Sequence, residues 1–95
     1  MYVRITRGRF NPSSEADIQR IVEEQVIPAL QKLPGFQRYF GGLNRRNGMI
    51  TAVSLWDSEE QASFSRDAMI SAVPALTALG VTFEPAEIYE VTAEA

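Results

Sequence analysis

The chain has 95 residues, a formal net charge of −3, and neither cysteine nor histidine. That length sets one small domain, 1–95, near the lower end of what folds alone, so a subunit interface would help it. Without cysteine there are no disulfides, zinc–thiolate sites or thiol nucleophiles. Without histidine the commonest metal ligand and the usual base near neutral pH are gone, so no metal is expected.

Composition is ordinary for a globular protein, with 45% hydrophobic and 22% charged residues. The opening MYVRITRGRF has no apolar leader core, and no apolar run approaches the ~20 residues that span a bilayer. A soluble, cytoplasmic protein without a membrane partner is the expectation. The acidic balance argues against nucleic acid as well.

Residues 2–10 alternate, with Val3 and Ile5 on one face and Tyr2, Arg4 and Thr6 on the other, which predicts a half-buried strand. Asn11-Pro12-Ser13-Ser14 is a turn into a helix capped by Ser13 or Ser14, with Glu15 and Asp17 at its positive end. Ile18, Ile21, Val22, Val26 (or Gln25), Ala29, Leu30 and Leu33 recur at helical spacing. Pro28 lies inside that pattern and predicts a kink; Pro34-Gly35 ends it.

Residues 36–43 read as a second strand, in which Gly41-Gly42 suggest a bulge or a closely approached backbone. Asn47-Gly48 is the strongest turn signal and predicts a hairpin. The third strand, 50–56, is apolar on both faces, hence central. It ends at Trp56, the chain's single tryptophan. Ser58-Glu59-Glu60-Gln61 then fits a capping box that opens a second helix. This helix carries Ala62, Phe64 (or Ser65), Met69, Val73 and Leu76 inward, contains Pro74, and closes at Gly80. Residues 81–91 form the last strand, interrupted by Pro85. Arg4, Arg7 and Arg9 near the start and Glu84, Glu87, Glu90 and Glu94 near the end predict ion pairs between first and last strands, each contributing well under about 1 kcal/mol.

The order is β-α-β-β-α-β. Pro28-Ala29-Leu30 with Leu33 recurs as Pro74-Ala75-Leu76 with Leu79, as two similar halves would show. The fold class is therefore α+β: a ferredoxin-like split sandwich with a four-stranded antiparallel sheet. Helices cover one face. The other, with Met49, Val53 and Leu55, is too apolar to stay wet, which predicts a homodimer packed sheet to sheet. An RNA-recognition module shares the element order but needs aromatics where Val53 and Leu55 stand.

Ile27-Pro28-Ala29-Leu30, Leu33-Pro34-Gly35-Phe36, Val53-Ser54-Leu55-Trp56-Asp57-Ser58-Glu59-Glu60 and Ile88-Tyr89-Glu90-Val91 carry a resemblance to a known family. The chain resembles the antibiotic biosynthesis monooxygenase-like domains of the dimeric α/β-barrel superfamily. That resemblance implies oxidation of polycyclic phenols or anthrones to quinones by dioxygen, with no metal, flavin or other cofactor. The substrate would lie between sheet and helices beside a tryptophan that Trp56 matches. The family's asparagine four residues earlier is here Ala52. The haem-degrading relatives' iron-ligating histidine has no counterpart.

Candidate catalytic residues are Trp56, Ser54 and Tyr39; candidate substrate-binding residues are Trp56, Phe64 and Arg38. Arg4 or Arg38 would hold a phenolate or carboxylate if it turns under the helices. Each candidate has a structural alternative: Trp56 as a core plug, Ser54 bonded to a backbone carbonyl, Phe64 packed on Trp56, Arg38 (like Arg4) in a surface ion pair. Two functions follow. One is a cofactor-independent monooxygenase acting on a small aromatic metabolite. The other is a non-catalytic dimeric ligand-binding or accessory protein of the same fold.

Overall fold

The computed structural model describes residues 1–95, the side chain of Arg66 excepted. One antiparallel sheet organises the chain. β1 (Tyr2–Arg9) is central and pairs with β3 (Met49–Trp56), which in turn pairs with the edge strand β2 (Phe36–Asn44). On its other side β1 pairs with β4 (Thr82–Phe83) and then with β5 (Glu87–Glu90). The last two are one lane broken around Pro85, which has no N–H to give to a ladder. The arrangement is the ferredoxin-like one, strand order β2-β3-β1-β4 with β5 extending the fourth lane.

The bulge in β2 lies at Gln37, where register shifts between Phe36 and Arg38, and not at the glycines. Gly41 serves the other expected purpose. A Cβ there would sit 3.1 Å from the Tyr39 hydroxyl, so its absence lets the tyrosine side chain lie along the strand. The β2–β3 hairpin closes with Gly48 at φ 68°, a conformation that suits glycine. Arg45 on this hairpin grips Glu15 with two donors, Nε at 2.7 Å and a terminal nitrogen at 2.9 Å, tying the loop to the first helix.

That helix begins with a 3-10 turn, Pro12–Ser14, capped by Asn11, whose side chain accepts from the Ser13 amide; neither expected serine caps it. It continues as α1 (Glu15–Ile21), a π turn (Val22–Val26) and α2 (Ile27–Gln31). The expected kink takes the form of this π turn. Pro28 cannot donate to the Glu24 carbonyl, and the Ile27 amide reaches back five residues to Val22.

The second helix departs further from expectation. Instead of one span it is α3 (Glu59–Ala62), a 3-10 turn (Arg66–Met69) and α4 (Ala72–Ala78). Ser58 caps α3 by accepting from the Gln61 amide at 3.2 Å, yet Gln61 does not return the bond: its Oε1 is buried without a partner among the described residues, and the side chain lies against Gly35. Ser63 closes α3 and Ser65 starts the next turn by accepting from the Asp67 amide, so serines compete with a continuous helix. Pro74 falls in the first turn of α4, where amides have no intrahelical acceptor, and costs nothing there.

All helical segments lie over one sheet face. One buried cluster gathers Phe10, Ile18, Ile50, Leu76 and Val81; a second gathers Leu30, Trp56, Ala62, Met69 and Ala72. No helix among the described residues is long and apolar enough to cross a membrane.

Candidate functional site

Alternation and register together set the floor of a cavity. On the helix-covered face β1 presents Tyr2, Arg4 and Thr6, while β3 presents Ala52, Ser54 and Trp56. Arg4 stands opposite Ser54 across β1–β3, and Ser54 stands opposite Tyr39 across β3–β2. A row of three polar side chains therefore crosses three neighbouring strands. The adjacent row, Thr6–Ala52–Gly41, is small and leaves room above the sheet. The row on the other side of the polar one, Tyr2–Trp56–Phe36, is a solid aromatic end.

Over this floor lies a cavity of about 330 Å³, large enough for a small organic ligand. Its floor is Arg4, Thr6, Tyr39, Ala52 and Ser54. Its roof comes from both helical arms: Val26 of the π turn and Leu30 from the first, Phe64, Met69, Val73 and Leu76 from the second. The two leucines of the repeated Pro-Ala-Leu segments thus face the same space. The β4–β5 connection, Phe83 to Ala86, closes one side.

Trp56 has 0% exposure and is absent from the cavity lining. Its indole packs edge-on to Phe36 at 5.5 Å and tilted against Phe64 at 5.1 Å. Its N–H donates to Ser54 Oγ at 2.8 Å. A molecule in the cavity would meet Phe64 and Ser54, with the indole behind them. Ser54, 5% exposed, spends an acceptor site on the indole and keeps its own hydrogen available as a donor. This is a side-chain partner, where a backbone carbonyl was the structural alternative.

Tyr39 lines the cavity, and burial pushes its phenol pKa up, so it remains protonated and a donor through neutral pH. Phe64 forms part of the roof and packs on Trp56 as well. Arg38 is not brought to the cavity; it lies on the opposite sheet face over the Phe40 ring, 4.9 Å from the centroid. The arginine under the helices is Arg4. Its guanidinium donates to the Ala62 carbonyl at 2.9 Å and stacks 4.2 Å from the Phe64 centroid. Burial lowers its pKa from the ordinary guanidinium value, though an arginine stays charged.

Neither Arg4 nor Arg38 makes an ion pair among the described residues. The expected pairing of first and last strands is made instead by Arg7 with Glu87 on the uncovered face. Sequence reasoning offered Arg4 only as an alternative to Arg38, placed Met69 inward without assigning it to a site, and missed Thr6. The signal that could have found Arg4 was its alternation with Tyr2 and Thr6, once the covered face was known. The described residues contain no group of three acidic side chains arranged as metal ligands.

No family model and no curated protein sequence matches the chain. Solved structures do. A candidate antibiotic biosynthesis monooxygenase from Deinococcus radiodurans superposes at TM-score 0.76, with 16% identity, over 100% of this chain and 96% of that one. SnoaB, a cofactor-independent oxygenase from Streptomyces nogalater, gives 0.77 and 15%, over 98% and 94%.

The chain has an antibiotic biosynthesis monooxygenase-like fold. Rv0793 from Mycobacterium tuberculosis shares that fold at TM-score 0.70 and 13% identity, over 99% of this chain and 97% of its own. At such identities the likeness carries architecture. Any chemistry rests on the residues of this chain's own cavity.

Proposed function

We propose that the cavity binds a small aromatic metabolite by its oxygen substituents and oxidises it with dioxygen, without a cofactor. One observation carries the reading: a row of three donors, Arg4, Ser54 and Tyr39, on the floor of a cavity whose helical roof is apolar. Such a floor stabilises negative charge that develops on a ligand oxygen while the roof excludes water. An electron-rich anion of this kind can pass electrons to dioxygen.

For an anthrone-type substrate the balance is R₂CH₂ + O₂ → R₂C=O + H₂O; carbon gives up four electrons and dioxygen takes four. Glu84, on the cavity rim, accepts the proton that the substrate loses first. Phe64 provides the aromatic contact. Trp56 acts through Ser54, holding its oxygen while the hydroxyl hydrogen faces the ligand. The working unit is a homodimer formed through the uncovered sheet faces, a reading supported by the apolar residues there.

A second reading is binding without turnover. It is favoured by Ala52, a cavity residue that offers a ligand oxygen no hydrogen bond. Titrating Trp56 fluorescence with polycyclic phenols and anthrones, in air and under nitrogen, separates the two. Saturable quenching with product formed only in air supports the oxygenase. Saturable quenching unaffected by air supports the binding protein. Absence of saturation would sink both.

A further inference from the structure

Three donors share the cavity floor, and the one carboxylate of the lining, Glu84 on the exposed rim, makes no ion pair with Arg4. Arg7, Arg20 and Arg45 each have a carboxylate within ion-pair distance, whereas Arg4 has none among the described residues. Its cross-strand neighbours are Ser54 on one side and apolar Ile88 on the other. The Ala62 carbonyl and the Phe64 ring fix the guanidinium's position but carry no compensating charge. A cation held over an apolar cavity usually has a counter-charge, because desolvation without one is costly.

Resting on the binding reading above, we infer that the ligand carries a permanent carboxylate, and that Arg4 selects for it. One N–H of the guanidinium is committed to Ala62, and the others form a fork that matches the two oxygens of a carboxylate. Ser54, next in the row, donates to the same group, and Tyr39 reaches an oxygen further along the ligand. A phenol offers one oxygen and must first lose its proton, so it uses the fork poorly. Phe64, stacked on Arg4, places an aromatic body beside that charge.

The test compares 2-naphthoate, 2-naphthamide and 2-naphthol binding by calorimetry near neutral pH. Wild-type protein should bind naphthoate about tenfold or more tighter than the amide or the naphthol. Arg4→Gln should cost naphthoate about tenfold or more while the amide changes less than about threefold. Arg4→Lys should fall between, and Arg46→Gln on the exposed hairpin should change neither. Equal affinity for acid and amide in the wild type would overturn carboxylate selection while leaving the aromatic-binding reading intact. A parallel loss of both in folded Arg4→Gln would do the same. Failure of all three probes to bind would overturn the inference together with the binding reading. Should Arg4→Gln not fold, the wild-type comparison alone decides.

Discussion

Trp56 and Ser54 form the pair on which the site's geometry turns. A fully buried indole N–H needs an acceptor, and Ser54 Oγ provides it at 2.8 Å. Ser54→Ala should therefore destabilise the fold by about 1–3 kcal/mol, the range for orphaning a buried donor. In a Trp56→Phe background the same change should cost well under 1 kcal/mol, since no donor remains. Urea unfolding of the four proteins gives the coupling; additive losses would show that the hydrogen bond contributes nothing. Tyr39 supplies a pH signature. Burial raises its pKa, so the folded state holds the phenolic proton more tightly than the unfolded chain. That contribution is fully present below the unfolded value of about 10 and is lost as pH rises beyond it. Tyr39→Phe should consequently lose less stability between about pH 9 and 11 than wild type. Tyr89, whose phenol is raised first by its bond to the Glu87 carboxylate, stays in both proteins and leaves a common background. Ser54 and Phe64 were legible as cavity candidates because β3 alternates cleanly up to the helix start. The choice between Arg4 and Arg38 was not, since β1 puts its more apolar face, Val3 and Ile5, away from the helices, against the usual bias.

Among elements, strands were more legible than helices. Hairpin, strand order and the Pro85 interruption all follow from short-range signals that tertiary packing did not override. The second helical arm shows where such signals stop. Periodicity through Phe64, Met69, Val73 and Leu76 is real, because all four face the cavity, yet Phe64 lies between α3 and the 3-10 turn, Met69 ends that turn, and only Val73 and Leu76 share a helix, α4. Side chains can keep a common inward face across breaks that serines impose. Ser58 is the clearest local device, a cap whose oxygen holds the Gln61 amide just after Trp56. Ser58→Ala should cost about 0.5–2 kcal/mol, and Ser58→Asp should recover most of it. Because α3 supplies the Ala62 carbonyl that holds Arg4, the alanine variant should also weaken ligand binding. Unchanged amide exchange across α3 would argue that packing of Ala62, and not the cap, sets the segment.

At the scale of the whole molecule, the unfinished surface is the sheet face without helices. Val3, Ile5, Val53 and Leu55 stand together at the centre of β1 and β3, and register pairs Val3 with Leu55 and Ile5 with Val53. Phe40 is 50% exposed and Tyr89 49% exposed on the flanking strands of that face. A contiguous apolar patch framed by the Arg7–Glu87 pair is unusual for a monomer. A two-fold axis through its centre would bury the patch against itself and add no open end for further growth. The chain should therefore sediment at twice its 10.6 kDa. Val53→Lys puts a charge at the centre of the patch without touching the cavity on the other face, and should give monomers. If the dimer stabilises the fold, midpoint denaturant concentration should rise with protein concentration in wild type and not in Val53→Lys. A monomeric wild type with concentration-independent unfolding would show that this sheet face is stable in water. Assembly would then have to be dropped from the functional reading, while the cavity argument, which uses only residues of one chain, would stand.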